Sequence, residues 1–248
     1  MKILYGNDIT EDIFEKIADL DAEVFKADGE EFGGDTTMSR DAVISLLKKS
    51  AQSTVVVLDD EGSAIGYFQT FAMKKDFEEK YIKGEVSFHD LDGSKLLDYS
   101  EKSINLYLWT IALKKEYRGK LFPDPSDPTR QISVAQMMHE GLIDALVDLK
   151  KQGCSVEYIF GEGVSEKGVK TVQRFCGKDS LIHSDKENEF YMYGSSFDVN
   201  CEAFAKCKNV SSLKRAYGVE LQRSVLSENT KILSDSSKLD QLKNCYFV

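Results

Sequence analysis

Arg118, Gly119 and Lys120 are the residues of this 248-residue chain whose types and spacing best suit a phosphate. Two cations flank a glycine, so charge and close backbone approach are offered at one place. The triplet closes Leu113-Lys114-Lys115-Glu116-Tyr117-Arg118-Gly119-Lys120, directly downstream of an apolar run. Arg130, Gln131 and Ser133 form an alternative cradle beyond the interruption LFPDPSDPT, which holds all three prolines of the chain. Asp127-Pro128 reads as a cap and a first helical residue, which would put Arg130, Gln131 and Ser133 in the opening turns of a helix. A strand-to-helix junction favours an anion because free backbone N–H groups and the helix dipole face it together. The competing readings are an ordinary surface turn for the first set and a solvated helix face for the second.

These residues need a strand before them and a helix after. Ile104–Leu113 is rich in Leu, Ile, Tyr and Trp and too short to span a membrane, so it predicts a central strand. Ala135, Met138, Leu142, Ala145 or Leu146, and Leu149 recur at helical spacing. The proline cluster predicts an exposed, mobile insertion over Leu121–Thr129.

Elsewhere, Lys2–Tyr5 predicts an edge strand, and Asp8 or Thr10 a helix cap ahead of Ile13, Ile17, Leu20 and Val24. Ala27–Thr37, with its glycines and acids, predicts a loop, and Ser39 caps a second helix. Val55–Leu58 and Ala64–Met73 flank a hairpin turn at Asp59–Gly62. Lys74–Lys102 reads as an excursion, with alternation in Tyr81–Phe88 suggesting a strand. Val156–Phe160, a helix from Ser165 to Cys176, and strands at Leu181–Ser184 and Glu189–Tyr193 follow.

Strand, basic-glycine turn and helix together resemble the central motif of the GNAT N-acetyltransferase superfamily. Leu113–Lys120 matches the approach to its (Arg/Gln)-x-x-Gly-x-(Gly/Ala) segment, whereas Leu121 and Pro123 stand where later small residues would fall. The element order from Lys2 to Gly194 is similar as well. The resemblance implies an α/β fold with a mixed, mostly antiparallel central sheet flanked by helices, over residues 1–197. A C-terminal helical appendage, 198–248, lies outside it: a lid, a dimer arm, or plain packing.

The resemblance further implies acetyl-CoA as co-substrate, its pyrophosphate on the turn and its pantetheine arm along the backbone of Ile111 and Leu113. A bulge in the central strand is expected to aim an N–H at the thioester oxygen. Tyr107 stands near the position of a catalytic Glu in some members, and Ser165 where the next strand-to-helix turn carries a polar group. Core packing and helix capping explain these two residues equally simply. The family's general-acid Tyr would fall near Val172, which leaves the acid unassigned. The connection between the first two helices is implied to line the acceptor side, so Glu30, Glu31 and Asp35 are candidates to attract a cationic amine.

Composition sets bounds on all this. Net charge is −10, with 24 basic and 36 acidic residues in the first 197. Such a body disfavours nucleic acid and suits cationic small molecules or basic peptides; solubility alone explains it as well. Five cysteines without a CxxC pair suggest a reducing compartment and no structural zinc, so a cytoplasmic location is expected, with no membrane partner. His89, His139 and His183 have no metal or triad spacing, and His139 is expected at a helix surface or flank. The expected activity is transfer of an acetyl group to a primary amine. The alternative is a non-catalytic GNAT-like module acting through its C-terminal segment. A homodimer is the assembly considered for either reading.

Overall fold

Thr54–Leu58, TVVVL, is β-branched in its first four residues and buried throughout, and it forms an inner strand of a seven-stranded sheet. The computed structural model describes residues 1–32, 38–163, 165–185 and 190–219. In chain order the elements are β1 (Lys2–Tyr5), α1 (Glu11–Phe32), α2 (Arg40–Ser50), β2 (Thr54–Leu58), β3 (Ala64–Phe71), α3 (Lys75–Ile82) and β4 (Ser103–Leu113). Then come β5 (Leu121–Asp124), β6 (Asp127–Ser133), α4 (Val134–Lys151), β7 (Ser155–Glu162), α5 (Glu166–Cys176), β8 (Leu181–Asp185) and β9 (Phe190–Ser196). Two short helices, α6 (Glu202–Ala205) and α7 (Val210–Ala216), end the described chain.

The sheet order is β1-β2-β3-β4-β7-β9-β8. Every neighbouring pair is antiparallel except β4 and β7. This is the mixed, mostly antiparallel architecture that the GNAT resemblance implies. Helices α4 and α5 cover one face and share a core with Leu106, Leu108 and Ile159. Helix α1 packs on the other face over β1–β3, α3 lies over Tyr107 and Phe160, and α2 contributes to both of these clusters.

Helix α4 starts where Ser133 Oγ accepts from Gln136 N (3.2 Å), and Lys150 and Lys151 offset the dipole in its last turn. It seats closely on the sheet through Gly141, where a Cβ would lie 2.6 Å from Val55 Cγ1 and 3.0 Å from Ile3 Cγ2. Val55 is fully buried and stiff at χ1, so it cannot yield easily. Gly141→Ala is therefore expected to destabilise by about 1–3 kcal/mol, despite the roughly 1 kcal/mol that alanine gains in a helix. Urea unfolding measures this; a more stable variant would mean that α4 does not seat there.

Four sequence expectations are corrected. Helix α1 runs through Gly29 to Phe32, so Glu30 and Glu31 belong to its last turns and not to a loop; Asp35 lies outside the described residues. Tyr81 belongs to helix α3, with Phe77, Glu78 and Tyr81 turned inward, and there is no strand in 81–88. The proline-rich stretch is an ordered hairpin, β5 with β6, not a mobile loop. Proline is tolerated because a two-stranded ladder leaves one side of each strand unpaired. The long helix begins at Val134, so Arg130, Gln131 and Ser133 precede it in β6.

The hairpin is tied down by charge. Arg130 Nη1 donates to Asp124 Oδ2 (3.1 Å) and Glu140 Oε2 (3.0 Å), and Arg130 Nη2 donates to Glu140 Oε1. Lys208 adds its backbone N–H to Glu140 Oε1 (3.1 Å) and its Nζ to Ser126 Oγ (2.6 Å), with Asp124 3.6 Å away. Burial would raise the Asp124 carboxyl, but the Ser126 donors and the charges of Lys208 and Arg130 bring it below the ordinary carboxylate value. Gln136 Nε2 donates to Lys206 O (3.1 Å), and Asn209 Nδ2 reaches both oxygens of Asp144 (3.1 Å). Phe204, Cys207 and Leu213 are buried in the α4–α5 core, so hydrophobic packing continues across residue 197.

Candidate active site

The site begins with a break in register. Against β3, Thr110 faces Gln69 and Leu108 faces Thr70, which leaves Trp109 as the extra residue of a β-bulge. Leu106 and Leu108 point toward α4 before the bulge, and Ile111 and Leu113 join the same cluster after it. On its other edge β4 pairs with β7 only as far as Leu108–Gly161. Beyond that point β7 continues with β9, through Glu162–Met192 and the bond from Gly163 N to Tyr191 O (3.2 Å). The two parallel strands therefore part at the bulge, and among the described residues no strand pairs with the β7-facing edge of Trp109–Leu113.

Glu162 stands at this parting. Tyr81 Oη donates to its Oε1 (3.0 Å), and the Tyr107 hydroxyl, 2.9 Å from Tyr81 Oη, donates in turn to Tyr81. Burial raises the Glu162 carboxyl above its ordinary value; the Tyr81 and Tyr107 donors offset this only in part. Burial, reinforced by the Glu162 charge, pushes Tyr107 and Tyr81 upward too. The phenols stay protonated and donate, while the carboxylate is the acceptor of the group. Such a carboxylate, raised toward neutrality, can take a proton from a substrate. Aromatic packing fixes the cluster: Tyr107 lies 5.4 Å from Tyr81, 5.1 Å from Phe160 and 5.9 Å from Trp109 between ring centroids. Gly163 keeps the end of β7 close to α5, since a Cβ there would sit 2.4 Å from Val169 N.

Tyr107 thus lies in the site, but its expected role changes. A lowered pKa is what proton abstraction by the phenol would need, and the shift is upward. Its place is to hold the Tyr81 hydroxyl that donates to Glu162. Glu162 itself escaped the sequence reading because Gly161-Glu162-Gly163 resembles any glycine-rich turn. The available signal was a carboxylate ending the apolar strand VEYIF.

The remaining candidates lie on β4, in the turn after it, in the hairpin and at the start of α5. Ile111 and Leu113 have core-facing side chains, as expected, and Leu113 O accepts from Arg118 Nε (2.9 Å). Gly119 takes a left-handed φ of +73° in the turn after β4, with Arg118 and Lys120 exposed on either side. Arg130 is engaged by Asp124 and Glu140, Ser133 caps α4, and Gln131 pairs with Pro123 in the hairpin. Ser165 caps α5, its Oγ accepting from Gly168 N (3.1 Å), and Val172 is buried on that helix. His139 is partly buried on α4, wedged between Phe68 (5.8 Å) and Phe175 (5.5 Å), where burial lowers its pKa. The four described cysteines are free, and no cluster among the described residues could hold a metal. No described helix is long and apolar enough to cross a membrane.

No family model matches the sequence, and no curated protein matches it. Solved structures do resemble it. A GNAT-family acetyltransferase from Listeria monocytogenes is 14% identical, with a TM-score of 0.43, covering 79% of this chain and 94% of its own. The GNAT-like decarboxylase GphF, in complex with isobutyryl-CoA, is 12% identical, with a TM-score of 0.45 and coverage of 79% and 99%. Naa20 of Chaetomium thermophilum, in complex with a bisubstrate analogue, is 10% identical, with a TM-score of 0.42 and coverage of 84% and 90%. The GNAT-like fold of this chain rests on its own strand order, bulge and parting strands.

Proposed function

We propose that this protein is an acyltransferase that moves the acyl group of an acyl-CoA, acetyl-CoA in the first instance, to a primary amine. The observation that carries the reading is the coincidence of three features: the bulge at Trp109, the parting of β4 from β7 at Leu108–Gly161, and the half-buried Glu162 at the end of β7. The thioester lies along the free edge of β4, with a bulge N–H toward its oxygen. The neutral amine attacks the carbonyl carbon; a C–N bond forms and the C–S bond breaks. Glu162 takes the proton that the amine loses, which equals the proton the departing thiolate needs. Arg118 and Lys120 receive the phosphates, next to the left-handed Gly119.

The second reading, a binding module without catalysis, also has a supporting observation. The first turns of α4 are hedged by the β5–β6 hairpin and by Lys206–Asn209. Calorimetry with acetyl-CoA, followed by an assay of thiol release with an amine panel, decides between the two. Acyl transfer requires both saturable binding and amine-dependent thiol release. Binding without release leaves the module, and no binding removes the transferase while leaving a module that acts without CoA. In the same titration, Arg118→Ala with Lys120→Ala is expected to weaken binding by about 1.5–3 kcal/mol for each lost phosphate contact. Unchanged affinity would move the phosphates elsewhere.

A further inference from the structure

On the α3 side of the sheet, β4 presents Asn105, Tyr107 and Trp109 in succession. The first two are satisfied internally. Asn105 Nδ2 donates to Glu78 Oε1 (2.6 Å), and the Tyr107 hydroxyl is bonded to that of Tyr81 (2.9 Å). Trp109 has ring neighbours instead: Phe71 at 5.6 Å and Phe88 at 5.8 Å, with the His89 ring 3.8 Å from Phe88. Phe71 is buried, whereas Trp109, Phe88 and Met38, which packs on the same cluster, are only partly covered. Apolar ring surface is thus left partly open beside the bulge, and it connects to Glu162 through Tyr107, whose ring lies 5.9 Å from that of Trp109, and the Tyr81 hydroxyl. The carboxylate of Asp90, close to Phe88 in sequence, is taken by Ser87, whose N (2.8 Å) and Oγ (3.2 Å) both donate to it.

We propose that the acceptor is a primary amine carried on an aromatic or compact apolar group, and that Trp109 and Phe88 determine this specificity. The inference rests on the acyltransferase reading. An aromatic group can pack on the open ring surfaces, in stacked or edge-to-face geometry, and bring its nitrogen toward Glu162. Among the described residues, three acids on this side of the sheet are already engaged: Glu162 by Tyr81, Asp90 by Ser87 and Glu78 by Asn105. Such an acceptor departs from the one expected from acidic composition alone, because net charge describes the whole surface and this opening is lined by rings.

The test compares 2-phenylethylamine with spermidine as acceptors for acetyl-CoA, by thiol release, in the wild-type protein and in Trp109→Ala, Trp109→Phe and Phe88→Ala. The wild type is expected to favour 2-phenylethylamine in kcat/KM. Trp109→Ala and Phe88→Ala should lower that value about 10- to 100-fold through the acceptor KM, with the KM for acetyl-CoA unchanged. Trp109→Phe keeps a ring and should retain most of the preference, which separates lost recognition from a damaged fold. A wild-type preference for spermidine, or equal values in Trp109→Ala and the wild type, overturns the specificity proposal and leaves acyl transfer standing. Absence of both acetyl-CoA binding and thiol release overturns acyl transfer and this inference with it.

Discussion

Glu162→Gln is expected to leave acetyl-CoA binding intact and to lower kcat about 100- to 10,000-fold, the usual worth of a general base. Glutamine keeps an oxygen for the Tyr81 hydroxyl, so the local packing survives and the loss is chemical. The pH profile sharpens the test. Glu162 works as a base only when ionised, and burial raises its pKa above the ordinary value. Wild-type kcat should therefore fall as pH drops through that raised value. The limb should vanish in Glu162→Gln, whose residual rate no longer depends on this carboxylate. A variant with near-normal kcat would assign the proton to another group and reduce Glu162 to a structural acid.

Arg130→Ala should produce the largest loss of stability. Asp124 and Glu140 have side chains only 1% and 5% exposed, and Arg130 is the cation that bonds both. Removing it leaves two buried carboxylates facing each other, with Lys208 too far from Asp124 for a normal hydrogen bond. The expected cost is about 3–5 kcal/mol, which lowers Tm by about 10 °C in a domain of this size. Adding Asp124→Asn and Glu140→Gln to Arg130→Ala should recover part of the loss, because the stranded charge is then gone. A single variant that melts within about 2 °C of the wild type would show that water reaches the cluster. The hairpin would then be an independent flap.

The central strand and its helix were legible because burial imposes period on the sequence. Ile104–Leu113 is apolar since β4 is covered on both faces, and α4 shows its inward stripe directly. Caps were legible for the same local reason: Ser39 and Ser165 each accept from the third residue beyond them. The hairpin was not, because proline is read as a breaker, whereas a two-stranded ladder with Pro123 opposite Gln131 leaves room for it. Helix α3 was missed because its eight residues show only Phe77, Glu78 and Tyr81 on the inner side, and Tyr81 also fits an alternation running on to Phe88. The acid–phenol group joins residues 81, 107 and 162 from three separate elements. Nothing within any one segment marks them; the group exists through the register of β4 against β7 and the placement of α3. Arg130 shows the converse. A basic residue after a proline cluster looks like an anion site, and folding gives it two buried acids as partners.

The central claim is that acyl-CoA lies along the edge of β4 that β7 abandons beyond Leu108. Amide hydrogen exchange of the full chain, with and without saturating acetyl-CoA, tests it most directly. Slowed exchange concentrated in Trp109–Leu113 and in the turn Lys115–Lys120, with β1 and β2 unchanged, is the predicted result. Binding that protects another region and leaves Trp109–Leu113 exchanging at its free rate would contradict the account.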